Sequence, residues 1–213
     1  MDAGNPNASP GIWIAQSSVS SDAVPVSSLL TTVRYERTTA LLRGSRIRRV
    51  VYYPLTCGED GRDVEDWDFG PWHQPTMGVE LCTDGGACFS AVWGSSFDHY
   101  GLELFPEPMT AHLRRIGEPY GPAAVEVTGH PRWSSLVGRA VTCVDIVWSE
   151  DHESGIRVPD AIRLCSRDGA VWIAAGRPAQ WPPGEVYHHL GTDDVMVVFT
   201  AEFAAKAGIP VVR

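Results

Sequence analysis

Residues 42–52 reappear in altered form 94 residues later, as residues 136–146, and two further blocks follow in the same order. Leu42, Gly44, Ile47 and Val50 match Leu136, Gly138, Val141 and Val144. The block 79–91 matches 162–174 at an offset of 83, carried by Leu81-Cys82, Gly86-Ala87 and Ala91 against Leu164-Cys165, Gly169-Ala170 and Ala174. A third block, 102–105 running into 109–111, matches 196–199 running into 203–205, and the offset returns to 94. Repeats decide the architecture when they are present. The changing offset reads as one insertion before the hairpin of the first copy and another after the hairpin of the second.

Each copy reads as strand, loop, hairpin, strand and short helix. Residues 47–53 and 141–148 are rich in β-branched and aromatic side chains, which suit a pleated, half-buried surface. Gly85-Gly86 and Asp168-Gly169 are hairpin dipeptides, because the favoured tight turn needs positive φ at its centre. In the second hairpin, alternation puts Ile162, Leu164, Ile173 and Ala175 on one face, with Arg163, Cys165, Trp172 and Ala174 on the other. Residues 31–35 and 125–128 are predicted strands that open the two copies. Residues 201–207 form a short helix stopped by Gly208 and Pro210.

The predicted fold is therefore α+β and mainly antiparallel β: a duplicated strand-hairpin-strand-helix unit closing into a sandwich or barrel-like sheet with few short helices. Residues 1–23 read as a partly flexible arm, 24–116 as the first repeat and 117–213 as the second, within one pseudo-twofold domain.

Composition limits the functional classes. With a net charge of −9 and scattered basic residues, the chain carries no nucleic-acid footprint apart from the local Arg43, Arg46, Arg48 and Arg49. No apolar run approaches the roughly 18 residues of a membrane-spanning helix, and residues 1–23 lack the basic and apolar pattern of a signal peptide. Of the 17 basic residues only Lys206 is lysine, a coding bias that points to a bacterial source. Five cysteines, an odd number without a CxxC pair, are expected to be reduced thiols in a cytoplasmic protein. Cys82 and Cys165 occupy matching positions and are expected to be buried packing residues without a disulfide.

Unusual residues concentrate in the two insertions, residues 54–77 and 176–194, which read as long ordered loops of the kind that carry function. The expected ligand-binding set is Trp67, Trp72 and His73 from the first, with Trp181, Tyr187, His188 and Asp193 from the second, converging on one concavity. His188, His189, Asp193 and Asp194 could ligate a metal. Adjacent histidines on an extended chain face opposite ways, however, so no metal site is assigned. Asp66 and Asp68 would share a strand face, but read as solvated loop carboxylates. Motifs for a serine elbow, a Walker loop or a dinucleotide fold are missing.

The leading expectation is a non-enzymatic protein that holds a small molecule or a protein partner in a cleft between the repeats, with no nucleic-acid or membrane partner and no cofactor named. One alternative is a hydrolase-type enzyme using His and Asp, with or without a metal. Another is a regulatory or immunity-type interaction module whose acidic first loop meets a basic partner.

Overall fold

The computed structural model describes residues 26–94, 96, 100–150, 157–180 and 186–210. Helix α1 (Val26–Leu42) leads into β1 (Ile47–Tyr52), a small ribbon of β2 (Thr56–Cys57) and β3 (Asp63–Val64), then β4 (Trp72–Thr76), β5 (Gly78–Thr83), β6 (Cys88–Gly94) and β7 (Gly101–Phe105). A 3₁₀ turn at Met109–Ala111, β8 (Val125–Glu126) and a second 3₁₀ turn at Pro131–Trp133 follow. The chain then forms β9 (Cys143–Glu150), β10 (Arg157–Ser166), β11 (Gly169–Gln180), β12 (Val186–Val198) and α2 (Ala201–Lys206).

Mainly antiparallel sheets dominate, as the alternating pattern requires. One five-stranded sheet has the order β7-β6-β5-β1-β8, and the other has the order β4-β12-β11-β10-β9. The run β1-β5-β6-β7 thus has the same neighbour order as β9-β10-β11-β12. Registers agree as well: Val50 faces Leu81 and Tyr52 faces Val79, while Val144 faces Leu164 and Ile146 faces Ile162.

Agreement stops at the hairpin turns. Between Cys82 and its partner Cys88 lie residues 83–87, whereas between Cys165 and Ala170 lie only 166–169. The first connection is one residue longer, so Leu81 faces Phe89 but Leu164 faces Val171. The sequence alignment matched Phe89 with Trp172. A one-residue slip reverses the face of every following side chain, and Phe89 accordingly joins the main core while Trp172 lies on the opposite face.

That main core draws on both sheets: Val50, Tyr52, Leu81, Phe89 and Leu104 meet Val144, Ile162, Leu164, Ile173 and Val197. Strands β7 and β10 are in contact, and at Gly101 of β7 a Cβ would press into Val158 and the Pro159 carbonyl. The back of the second sheet, with Trp172, Met196 and Val198, is covered by Phe203 and Ala204 of α2 and by Ala207 at its end. Thr200 starts α2 by accepting the Phe203 N–H at 3.1 Å, the side-chain cap a helix start needs.

Four expectations from the sequence are corrected. Residues 31–35 lie within α1. Their β-branched and aromatic residues suit a strand, but Tyr35, Thr38, Thr39 and Leu42 are spaced for one helix face, and all four are buried against β7 and β9. Second, the β8 strand pairs with β1 and not with its own half. Third, residues 176–180 and 186–190 are not loop but the paired extension of β11 and β12, from Gly176 facing Leu190 to Gln180 facing Val186.

The fourth correction concerns the thiols: Cys82 bridges Cys88, Cys143 bridges Cys165, and only Cys57 is free. Facing cysteines on neighbouring strands are separated in sequence by a turn or a strand pair, so no CxxC spacing announces them. The matching residues Cys82 and Cys165 bridge in opposite directions, to β6 and to β9. Among the described residues no helix is long and apolar enough to cross a membrane.

Candidate metal centre

Where the two sheets meet, residues 67–74 form a tight hairpin that sets Asp68 opposite His73. Phe69 N–H donates to the Trp72 carbonyl at 3.1 Å and Gln74 N–H to the Trp67 carbonyl at 2.7 Å. Gly70 takes a φ of +77° in the turn, and its N–H donates to Asp68 Oδ1 at 2.9 Å. Aspartate commonly closes a turn this way, two residues ahead of its own backbone. His73 then enters β4 opposite Val197 and turns inward, 0 % exposed.

His130 arrives from elsewhere in the chain, as the residue capping the 3₁₀ turn Pro131–Trp133. Its Nε2 lies 3.2 Å from Asp68 Oδ2, and its Nδ1 accepts the Arg132 N–H at 3.3 Å. His73 Nε2 lies 3.4 Å from Asp68 Oδ1. The two imidazoles meet edge to face with centroids 4.6 Å apart. Ligand atoms of Asp68, His73 and His130 all fall within 4.8 Å of one another. A tetrahedral ion with ligands at about 2.0–2.1 Å holds them roughly 3.3 Å apart, so small movements would admit one.

Behind His73 stands a buried polar pair. Trp133 Nε1–H donates to Tyr52 Oη at 2.8 Å, and Tyr52 Oη lies 2.8 Å from His73 Nδ1. Two proton placements are open. If Tyr52 donates to Nδ1, the imidazole proton sits on Nε2 and points to Asp68 at 3.4 Å, too long for a good N–H···O bond. If Nδ1 carries the proton and donates to Tyr52, the Nε2 lone pair faces Asp68 and His130. In either case His73 Nε2 is sealed from solvent without a hydrogen-bond partner. Six buried side-chain atoms among the described residues lack such a partner, and His73 Nε2 is the one set beside both a carboxylate and a second imidazole, where a bound ion would explain it.

Charge follows the geometry. Burial pushes the His73 pKa down to about 4 against the pull of Asp68, so the imidazole is neutral at pH 7, as a ligand must be. Asp68 is held below the usual carboxylate range, chiefly by the Gly70 N–H and further by the two histidines. Trp67 and Phe199 wall the cluster, at 5.1 and 4.6 Å from His73. The open side is the one where Asp68 and His130 reach the surface, their side chains 43 % and 24 % exposed.

Of the residues expected to bind a ligand, Trp67 and His73 meet here. Trp72 faces away: it is sandwiched between Phe69 and Phe203, with centroids at 5.3 and 5.1 Å, and ties the hairpin to α2. Tyr187 and His188 sit on β12 opposite Ala179 and Pro178. Six residues of β11 separate Pro178 from Trp172, which faces Val198 at the β4 end. At 3.3 Å per residue this puts them about 20 Å along the sheet from His73. Asp193 falls in residues 191–194, the extra segment between Leu190 and Val195 where the register slips. Trp181 lies outside the described residues.

Sequence reasoning missed His130 and Tyr52, and it set Asp68 aside with Asp66. Only the Asp68-to-His73 hairpin had a local signal, the turn-forming Gly70-Pro71 between them; His130 is 57 residues further on. Comparison with known protein families, with curated proteins and with solved structures finds no match to this chain.

Proposed function

We propose that the chain binds a divalent transition-metal ion through His73, His130 and Asp68, and that the coordination position left open serves metal-assisted hydrolysis. The observation that carries this is the sealed, unpartnered Nε2 of His73 beside the Asp68 carboxylate and His130. Two histidines and one carboxylate suit zinc and similar ions, and three protein ligands leave a place for a water whose pKa the metal lowers to about 7. Binding requires the Nδ1–H form of His73, which leaves the Tyr52 proton without an acceptor. That costs about 1–3 kcal/mol, small beside the roughly 10 kcal/mol or more that a three- or four-ligand zinc site supplies.

Calorimetric titration of Zn²⁺ into chelator-treated protein tests the reading. One ion per chain is expected, with affinity reduced about a hundredfold or more in His130→Ala and Asp68→Ala, and metal-dependent hydrolysis of a p-nitrophenyl ester lost with it. Absence of stoichiometric binding, or equal binding by His130→Ala, would overturn it.

A non-enzymatic role, holding a small molecule or a protein partner, is the second reading. A groove lined by Arg163, Trp172 and Phe199 supports it, although that groove belongs to the second sheet and not to a cleft between the halves. We also infer that residues 24–116 and 117–213 are duplicated units whose sheets face one another, on the strength of the shared strand order and registers. The two disulfides favour an oxidising compartment over the cytoplasmic placement expected from the sequence.

A further inference from the structure

Two residues beyond His130 stands an arginine whose place is fixed from both sides. Arg132 N–H donates to His130 Nδ1 at 3.3 Å. The next residue, Trp133, is fully buried, with its Nε1–H on Tyr52 Oη at 2.8 Å and its backbone N–H on the His130 carbonyl at 3.0 Å. Pro131 stiffens the turn between them. Because Trp133 turns inward, Arg132 is left exposed on the same turn that brings His130 to the surface.

The charge of Arg132 reaches the candidate ligands. After burial, the influences on the His73 imidazole are the charges of Asp68, His130 and Arg132, and Arg132 is the one permanent cation among them. No carboxylate among the described residues pairs with its guanidinium. Here the Asp68 carboxylate and the Arg132 guanidinium cancel, so a divalent ion held by neutral histidines would leave two positive charges at the open side. That is the reverse of the chain as a whole, whose net charge is −9 and which repels anions elsewhere.

We propose that Arg132 makes this site selective for phosphate monoesters, its guanidinium holding phosphoryl oxygens beside the ion. The proposal rests on the metal reading above and adds the substrate class. A monoester dianion neutralises both positive charges, whereas a carboxylic ester neutralises neither. The planar guanidinium fork matches two phosphoryl oxygens at once, and a cation paired with a metal ion on a transferring phosphoryl group stabilises the charge that develops there. Hydrolysis adds water to phosphorus and breaks the P–O bond to the alcohol, which leaves with one of the water's protons. Orthophosphate and a free alcohol are the products, and no oxidant or second substrate is needed.

Calorimetry on the whole chain tests this with Zn²⁺ and then with phenylphosphonate, a monoester analogue whose P–C bond resists hydrolysis. In Arg132→Gln the loss of a neighbouring cation is expected to raise Zn²⁺ affinity about twofold or more, while phenylphosphonate affinity of the zinc-loaded protein falls about tenfold or more. The ratio of kcat/KM for p-nitrophenyl phosphate to that for p-nitrophenyl acetate should fall with it. Arg132→Lys, which keeps the charge without the fork, should recover part of the loss. Phenylphosphonate affinity equal in Arg132→Gln and the parent protein, or a ratio that the substitution leaves unmoved, would overturn the proposal while Zn²⁺ binding stood. A fall in both affinities would overturn it too, by showing that Arg132 only shapes the turn. Absence of Zn²⁺ binding would remove the metal reading and this one together.

Discussion

Tyr52 Oη and His73 Nδ1 stand 2.8 Å apart, and this contact joins β1 of one sheet to β4 of the other inside the core. Tyr52 also receives the Trp133 N–H. Tyr52→Phe keeps the ring and removes the oxygen, leaving a buried indole N–H and a ring nitrogen without partners. At about 1–3 kcal/mol for each stranded group, a loss of roughly 2–4 kcal/mol in urea denaturation is expected. A loss under about 0.5 kcal/mol would show that the pair does not hold the sheets together.

Acid should weaken the fold through His73. Its folded pKa of about 4 lies below its ordinary value of 6.5, so between these pH values the unfolded chain binds a proton that the folded chain refuses. Stability is then fully present above pH 6.5 and falls as the pH drops towards 4, by about 3 kcal/mol. Urea midpoints measured at pH 7 and pH 4.5 check this, with His73→Gln expected to flatten the dependence.

Asp160 works in the opposite sense. It is the extra residue of a bulge between Pro159 and Ala161, and burial pushes its pKa up to about 6, against a hydrogen bond from Ser149 that lowers it. Because the folded value lies above the ordinary 3.8, its favourable contribution is present below pH 4 and disappears as the pH rises through 6. Asp160→Asn should therefore gain about 1–2 kcal/mol at pH 8 and nothing at pH 3.5. Thermal unfolding of both proteins at the two pH values decides it.

Trp72 should prove structural. Stacked between Phe69 and Phe203, it is expected to cost about 2–3 kcal/mol when replaced by alanine, with Zn²⁺ affinity changed less than threefold or so. A stable Trp72→Ala that no longer binds the ion would place Trp72 at the site instead.

The thiols are countable. Alkylation of the unreduced protein should label Cys57 alone, and all five cysteines after reduction. By loop length the bridges stabilise by about 2 kcal/mol at Cys82–Cys88 and about 3 kcal/mol at Cys143–Cys165. Labelling of Cys82 or Cys165 without reductant would remove those bridges from the account.

Strand positions were legible in the sequence because alternation is a local property: Ile162, Leu164, Ile173 and Ala175 declare their shared face within fourteen residues. Residues 31–35 misled for the same reason, since the partners that make a helix of them are distant strands. The metal-ligand set was half legible. Asp68 and His73 are joined by a turn that the sequence announces, but His130 is brought in by the packing of Trp133 beneath Tyr52, which no local pattern encodes.

Strand β4 belongs by sequence to the first half yet completes the sheet of the second, while β8 does the reverse. His73 pairs with Val197, so about 120 residues must be synthesised before β4 meets β12, roughly 6–25 s at ordinary ribosome speeds. Through that interval Trp67, Trp72 and His73 have no sheet to join, and a nascent chain that stalls before Val195 presents them to its neighbours. Production of this protein is thus governed by the last strand to leave the ribosome, which makes truncated or slowly translated copies clients for chaperones.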